Sequence, residues 1–163
     1  MKKQISVLTQ YYPPDLAATG QFIESIINEM SSKEKWDFVI HTGTPTYAKI
    51  KDKKFPDIKI NKQITIKRTF LSNLFPKWMK GRIINSFLFC IYNFIWLTLF
   101  HDKNQLIIFT TEPPFQTFFV NLLYRIKKIK YILIIYDLYP ETIVNLGLIK
   151  IIPKEIVIEM NVV

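Results

Sequence analysis

Gln4-Ile5-Ser6-Val7-Leu8-Thr9, Leu106-Ile107-Ile108-Phe109-Thr110 and Tyr131-Ile132-Leu133-Ile134-Ile135-Tyr136 are short apolar runs that break abruptly into polar, proline-bearing loops. The loops are Tyr11-Tyr12-Pro13-Pro14-Asp15, Thr111-Glu112-Pro113-Pro114 and Asp137-Leu138-Tyr139-Pro140-Glu141, and a helix-forming stretch follows each. Buried strands that alternate with helices predict an α/β chain with a parallel sheet, because parallel neighbours can be joined only by a crossover. All three loops then leave the same, C-terminal edge. Open α/β sheets bind ligands there, so distant residues are expected to meet in one cleft.

Working outward, Trp36 to Thr42 reads as a second strand, ending in Gly43-Thr44-Pro45-Thr46-Tyr47, and Ile64 to Phe70 as a third. A helix is predicted from about Thr19, a candidate cap, with Phe22, Ile23, Ile26, Ile27 and Met30 as its core stripe. Phe115 to Ile129 reads as a helix that buries Phe118, Phe119, Leu122 and Leu123 and ends in basic residues, the favourable sign at a helix C-terminus. Tyr131 to Tyr136 is expected to be the central strand. A short helix from Glu141 is expected to stop near Gly147, and the tail 151–163 holds apolar residues with little to pack on.

The 163 residues, 49% hydrophobic and 15% aromatic, predict one packed domain and exclude a disordered chain. A single cysteine, Cys90, leaves no internal disulfide, and its apolar surroundings predict a buried structural thiol in a reducing compartment. Met1-Lys2-Lys3 starts like a signal peptide, but Ser6, Thr9 and Pro13-Pro14 interrupt the apolar stretch, so the segment reads as a strand. His41 and His101 have no second ligand at metal spacing, and no metal site is expected.

Charge is concentrated. The formal net charge is +9, and the eleven Lys and Arg between Lys49 and Arg82, set against Asp52 and Asp57, account for all of it. Such a segment reads either as a solvated face on a loop and edge strand or as a contact with an anionic membrane surface, with Lys77, Lys80 and Arg82 nearest the apolar run that follows. The aromatics lie in apolar runs and do not interleave with the lysines, so no nucleic-acid partner is expected. That following run, Ile83 to Phe100, would span about 27 Å as a helix, slightly short of a bilayer core of about 30 Å. Ser86 and Asn93, seven apart, share a face, which fits a helix buried on most sides.

Gln10-Tyr11-Tyr12-Pro13-Pro14-Asp15, Gly43-Thr44-Pro45-Thr46-Tyr47, Thr111-Glu112-Pro113-Pro114-Phe115 and Asp137-Leu138-Tyr139-Pro140-Glu141-Thr142 occur in an order and spacing that resemble the N-terminal domain of bacterial family 4 glycosyltransferases. The likeness runs from about Lys3 to Ile149 and is greatest to the fucosaminyltransferase-like members that build surface polysaccharides. It implies a Rossmann-like parallel sheet with helices on both faces, the N-terminal half of a GT-B fold, over residues 1–150, with 151–163 as an atypical tail. It also implies retaining, metal-free transfer from a nucleotide sugar to a lipid-linked or polysaccharide acceptor, with no cofactor, at the cytoplasmic face of the plasma membrane. The donor-binding domain with its paired glutamates is expected to be absent from this chain, which leaves it inactive alone or one partner of a split enzyme. The alternative is a non-catalytic, membrane-associated Rossmann-like module. Tyr136 and Tyr139 stand where relatives often have Arg and Trp, Ala17 replaces a loop glycine and Ala48 a proline.

Candidate site residues follow from chemistry and likeness together. Asp137, at a strand's C-terminal end, can orient or deprotonate an acceptor hydroxyl, or simply cap the next helix. Gly20 can let a diphosphate approach a helix N-terminus, or merely start that helix. Tyr12, Pro14, Glu112, Tyr139 and Glu141 complete the expected binding edge, where the tyrosines can stack on a sugar and the glutamates can favour helix starts.

Overall fold

The computed structural model describes residues 3–33, 36–45, 58–59, 62–75, 79–102 and 104–136. Strand β1 (Lys3–Leu8) leads into helix α1 (Ala18–Ser32), followed by β2 (Trp36–Gly43), the two-residue β3 (Ile58–Lys59) and β4 (Ile64–Thr69). A 3₁₀ turn (Phe70–Asn73) precedes the long helix α2 (Met79–Phe100), then β5 (Leu106–Thr110), α3 (Phe115–Lys127) and β6 (Lys130–Ile134). The sheet order is β3-β4-β2-β1-β5-β6, parallel throughout except for the antiparallel edge strand β3.

Alternation along β1 splits the core in two. Ile5 and Val7 join Ile23 and Ile27 of α1 on one face, with Phe38, Ile40, Ile64, Ile66 and Ile108. Leu8 joins Leu97 of α2 and Val120 and Leu123 of α3 on the other, with Ile107, Phe109 and Ile129. Helices therefore cover both faces, as an α/β Rossmann-like sheet requires. Each helix–sheet contact buries side chains worth about 1.5–3 kcal/mol apiece.

Several boundaries and faces differ from the sequence reading. Tyr131 lies not in the central strand but in β6, at the edge of the described sheet, where Tyr131 and Ile132 stay exposed; the centre is β1. Strand order is set by where each crossover returns, which a local apolar pattern does not encode. Helix α1 starts at Ala18 behind an extended Ala17 that makes no side-chain cap, so Thr19 lies inside the helix. Its buried stripe is Gly20, Ile23, Ile27 and Ser31, which turns Phe22 outward onto Tyr136 (ring centroids 5.9 Å). Helix α3 buries Gln116, Val120 and Leu123, leaving Phe118 67% exposed. It stops at Lys127, and Lys128 takes the left-handed conformation (φ 54°) that turns Ile129 into the core.

Helix α2 begins four residues before the predicted Ile83, because tertiary contacts hold its first turns. A Cβ on Gly81 would stand 2.5 Å from that of Phe75, so the glycine permits this close approach, and Asn85 Oδ1 accepts from the Phe75 N–H (3.1 Å). At its other end Lys127 Nζ donates to the carbonyls of Leu97 and His101 (3.4 and 3.3 Å), a cation at a helix C-terminus. Cys90 is buried in this layer, and burial pushes its thiol up to about 12, which makes it unreactive.

Candidate functional site

Because β1, β2, β4, β5 and β6 are parallel, the loops that follow them share one edge. The chain leaves β1 toward β2 through α1 and later returns from β4 to β5 through α2 on the opposite face. Connections therefore part company between β1 and β5, the topological switch point where α/β sheets bind ligands.

The loop after β1 is fastened tightly on one side. The Thr9 N–H donates to His41 O (3.1 Å), and Gln10 O accepts from the Gly43 N–H (3.0 Å) and Thr42 Oγ1 (3.2 Å). Ser86 Oγ of α2 donates to Gln10 Oε1 (3.0 Å). Arg68 of β4 donates through Nη1 to Gly43 O (3.2 Å) and through Nη2 to Pro13 O, so one guanidinium ties this loop to the end of β2. The sequence reading counted Arg68 only within the basic excess. Its place one residue before the end of a parallel strand, beside the ligand edge, was the available signal.

Tyr12 lies 1% exposed in the α1-side core, so its ring packs against Ile23 and Ile27 and presents no face to the edge. Burial raises its hydroxyl well above the ordinary tyrosine value. Pro14 is exposed on the rim. Gly20 is explained by packing: a Cβ there would lie 2.8 Å from Tyr11 O, and the Gly20 N–H already donates to Ala17 O (3.1 Å). The close approach is made by the protein's own loop.

On the other side of the switch point a second group assembles. Thr110 Oγ1 donates to Glu112 O (2.7 Å), Thr111 N–H to Ile134 O (3.1 Å) and Tyr136 N–H to Thr111 Oγ1 (3.1 Å). The Tyr136 hydroxyl reaches across to Thr19 O in the first turn of α1 (3.2 Å). Its pKa is pushed up to about 12, chiefly by burial and further by the Glu112 carboxylate, so it stays a neutral donor at physiological pH. Glu112, Tyr136 and the start of α1 thus converge. Gln116 bridges toward β1 with Nε2 donating to Leu8 O (3.0 Å), and no other described residue reaches its buried Oε1. Asp137, Tyr139, Glu141 and Lys77 lie outside the described residues; Lys80 and Arg82 are exposed in the first turns of α2.

Comparison with protein families, with curated proteins and with solved structures finds no match for this chain. Among the described residues no group of three His, Cys, Asp or Glu could hold a metal ion. His101, which burial lowers below its ordinary pKa, is held as a neutral ring: Nε2 donates to Gln105 O (3.2 Å), leaving Nδ1 to accept from Ser6 Oγ (3.2 Å). His41 packs at a tilt against Trp96 (ring centroids 4.3 Å), whose indole also lies under Lys67 Nζ (4.5 Å), and burial drives its pKa down to about 3. Both imidazoles sit in the α2-side layer as structural groups. A void between β1, α2 and α3, lined by Leu8, Cys90, Asn93, Gln116 and Phe119 among others, has a volume of about 10 Å³, room for about one water. That is far below the roughly 300–1,000 Å³ of small-molecule sites, so the open edge and not this void is the candidate site.

Proposed function

We propose that the chain is the acceptor-side half of a GT-B glycosyltransferase that moves a sugar from a nucleotide-sugar donor to a lipid-linked or polysaccharide acceptor. It works with a donor-binding domain, separately encoded or joined to it, peripherally on the cytoplasmic face of the plasma membrane. The observation that carries this reading is the parting of connections between β1 and β5, which brings Glu112, Tyr136 and the first turn of α1 to one edge. Those residues lie in or beside the loops whose sequences resemble the family. Asp137, which immediately follows Tyr136, is the group assigned to orient or deprotonate the acceptor hydroxyl. Tyr136, whose hydroxyl already donates to Thr19 O, supplies an uncharged aromatic wall where an arginine would supply charge.

The test joins the chain to a compatible donor domain and measures single-turnover transfer from a panel of nucleotide sugars. Asp137→Asn is expected to lower turnover about 10²- to 10⁴-fold with the circular dichroism spectrum unchanged. Asp102→Asn, beyond the opposite end of α2, should leave turnover unaltered. An active Asp137→Asn enzyme would sink the assignment of that residue and make Glu112→Gln the next substitution. Robust transfer by the unpartnered chain would sink the division of labour.

The second reading, a non-catalytic membrane-associated module, is favoured by one observation of its own: the outward face of α2 is apolar. Vesicle binding without any transfer in the joined protein would select it.

A further inference from the structure

Helix α2 is built inside out. Its buried positions are Gly81, Asn85, Phe89, Cys90, Asn93 and Leu97, the first two set against Phe75, and two of the six are asparagines. Positions 84, 88, 91, 95 and 99, three or four apart, line another side of the helix, and there every residue is Ile or Leu, with Leu88 and Ile91 half-buried. Ile95 is 51% and Leu99 68% exposed, and Ile84 and Phe87 are exposed beside them. Helix α3 continues the surface. Phe87 meets Phe115 edge to ring and Phe119 at a tilt, with ring centroids 5.6 and 5.8 Å apart, and Phe118 stands outside them.

Charge frames this surface on both ends. Lys80 and Arg82 are exposed where α2 begins, and Arg125, Lys128 and Lys130 are exposed where α3 ends. The two helices run side by side in the same direction, since Phe87 meets Phe115 while Lys127 meets Leu97 and His101. The basic groups therefore flank opposite ends of one apolar strip. No acidic residue occurs from Met79 to His101 or from Pro113 to Tyr136; Asp102 follows α2 directly.

We infer that the outer face of α2 and α3 docks flat on an anionic lipid bilayer, with α2 lying in the plane of the interface. This rests on the membrane location in the reading above and not on the transfer chemistry. A second copy of the chain is the poorer occupant, because the same face on a partner would set basic ends against basic ends. Anionic headgroups complement both ends, each cation contributing near the surface while the Ile, Leu and Phe side chains enter the acyl boundary. Length alone would let α2 cross: Lys80–Phe100 has a mean hydropathy of 1.8, and the whole helix of 22 residues extends about 33 Å. Packing forbids it. A crossing α2 would carry the sheet bonded to its inner stripe, with open loops and strand edges, into hydrocarbon that cannot satisfy them.

The experiment uses the full chain with Cys90→Ala and single cysteines at positions 84, 95, 99 and 118, or at Asn28 on α1 as the opposite face. Each carries an environment-sensitive fluorophore, and quenching by nitroxides at shallow and deep acyl positions is read on phosphatidylglycerol and phosphatidylcholine vesicles. Similar shallow depth at 84, 95, 99 and 118, no quenching at 28, and binding that needs phosphatidylglycerol and weakens with salt are expected. In the unlabelled protein, Ile95→Glu and Arg82→Glu should each weaken binding roughly tenfold or more, with circular dichroism unchanged. Depth that increases from 84 to 95 and decreases again toward 99 would overturn the inference in favour of a span. Probes shielded without vesicles, in a self-associated species, would overturn it in favour of a second copy. No quenching at any position would overturn it outright. None of these readouts needs a donor domain, so intact docking with no transfer would refute the glycosyltransferase reading alone.

Discussion

Helices α1 and α2 cover opposite faces of the same sheet and solve the burial problem in opposite senses. Helix α1 turns Ile23 and Ile27 inward and Gln21, Ser25, Asn28 and Glu29 to solvent. Helix α2 turns Asn85 and Asn93 inward beside Phe89, Cys90 and Leu97, and Ile83, Ile84 and Ile95 outward. Water alone accounts for α1, since burying its apolar stripe completes it. For α2 it does not, and this difference is what the proposed bilayer contact would account for.

The sharpest way to break this contrast is to truncate the same residue type on each helix. Ile27→Ala, in the α1-side core, is expected to cost about 2–5 kcal/mol through lost burial and a residual cavity. Ile95→Ala should stay within about 0.5 kcal/mol in urea titrations without lipid. Equal losses would mean that position 95 is buried in solution and that the outward face of α2 is covered.

Titration separates the faces next. His41 and His101 both lie on the α2 side, and burial holds both below their ordinary values, His41 at about 3. The unfolded chain takes up those protons first, so the stabilisation is complete above about pH 6.5 and is lost as pH falls toward 3. For His41 alone the loss is about 2 kcal/mol between pH 7 and pH 5. Urea midpoints at those two values check it, and His41→Phe should flatten the slope; an unchanged slope would show that other groups carry it.

The smallest effect probes the inward asparagines. Neither amide atom of the buried Asn93 has a partner among the described residues. Asn93→Leu, close in volume, is expected to raise stability by about 1 kcal/mol by removing an unmet desolvation cost. Destabilisation instead would mean that the amide is satisfied in solution and that the inside-out pattern has a structural purpose.

Much of the framework was legible locally. The runs Gln4–Thr9, Trp36–Thr42 and Leu106–Thr110 match β1, β2 and β5 within a residue at either end, because β-branched residues bounded by turn formers leave few alternatives. Helix faces were less legible. Ile23, Ile27 and Leu123 were rightly placed in the core stripes by their helical spacing, but Phe22 and Phe118 were placed there with them and point outward, and Val120 was missed. The candidate site was legible as an edge but not as a set of contacts. Glu112 was named from its loop. The pairing of the Tyr136 hydroxyl with Thr19 O, 117 positions apart, and Arg68's grip on Pro13 and Gly43 carry no local signature.

The sequence by itself determined the α/β class, the parallel direction of the main strands, the shared edge of their loops and the excess of positive charge beside an apolar helix. Each follows from nearest-neighbour patterns: period, turn residues and composition. Only the tertiary structure decided that β1 is central and β6 lies at the described edge, that Tyr12 is core, and that Gly20 makes room for Tyr11 O. It alone decided which side of α2 is inside. A helix uniformly rich in Ile, Leu and Phe has no intrinsic inner face, so its orientation is chosen by the few contacts, at Gly81, Asn85 and Leu97, that the rest of the fold imposes.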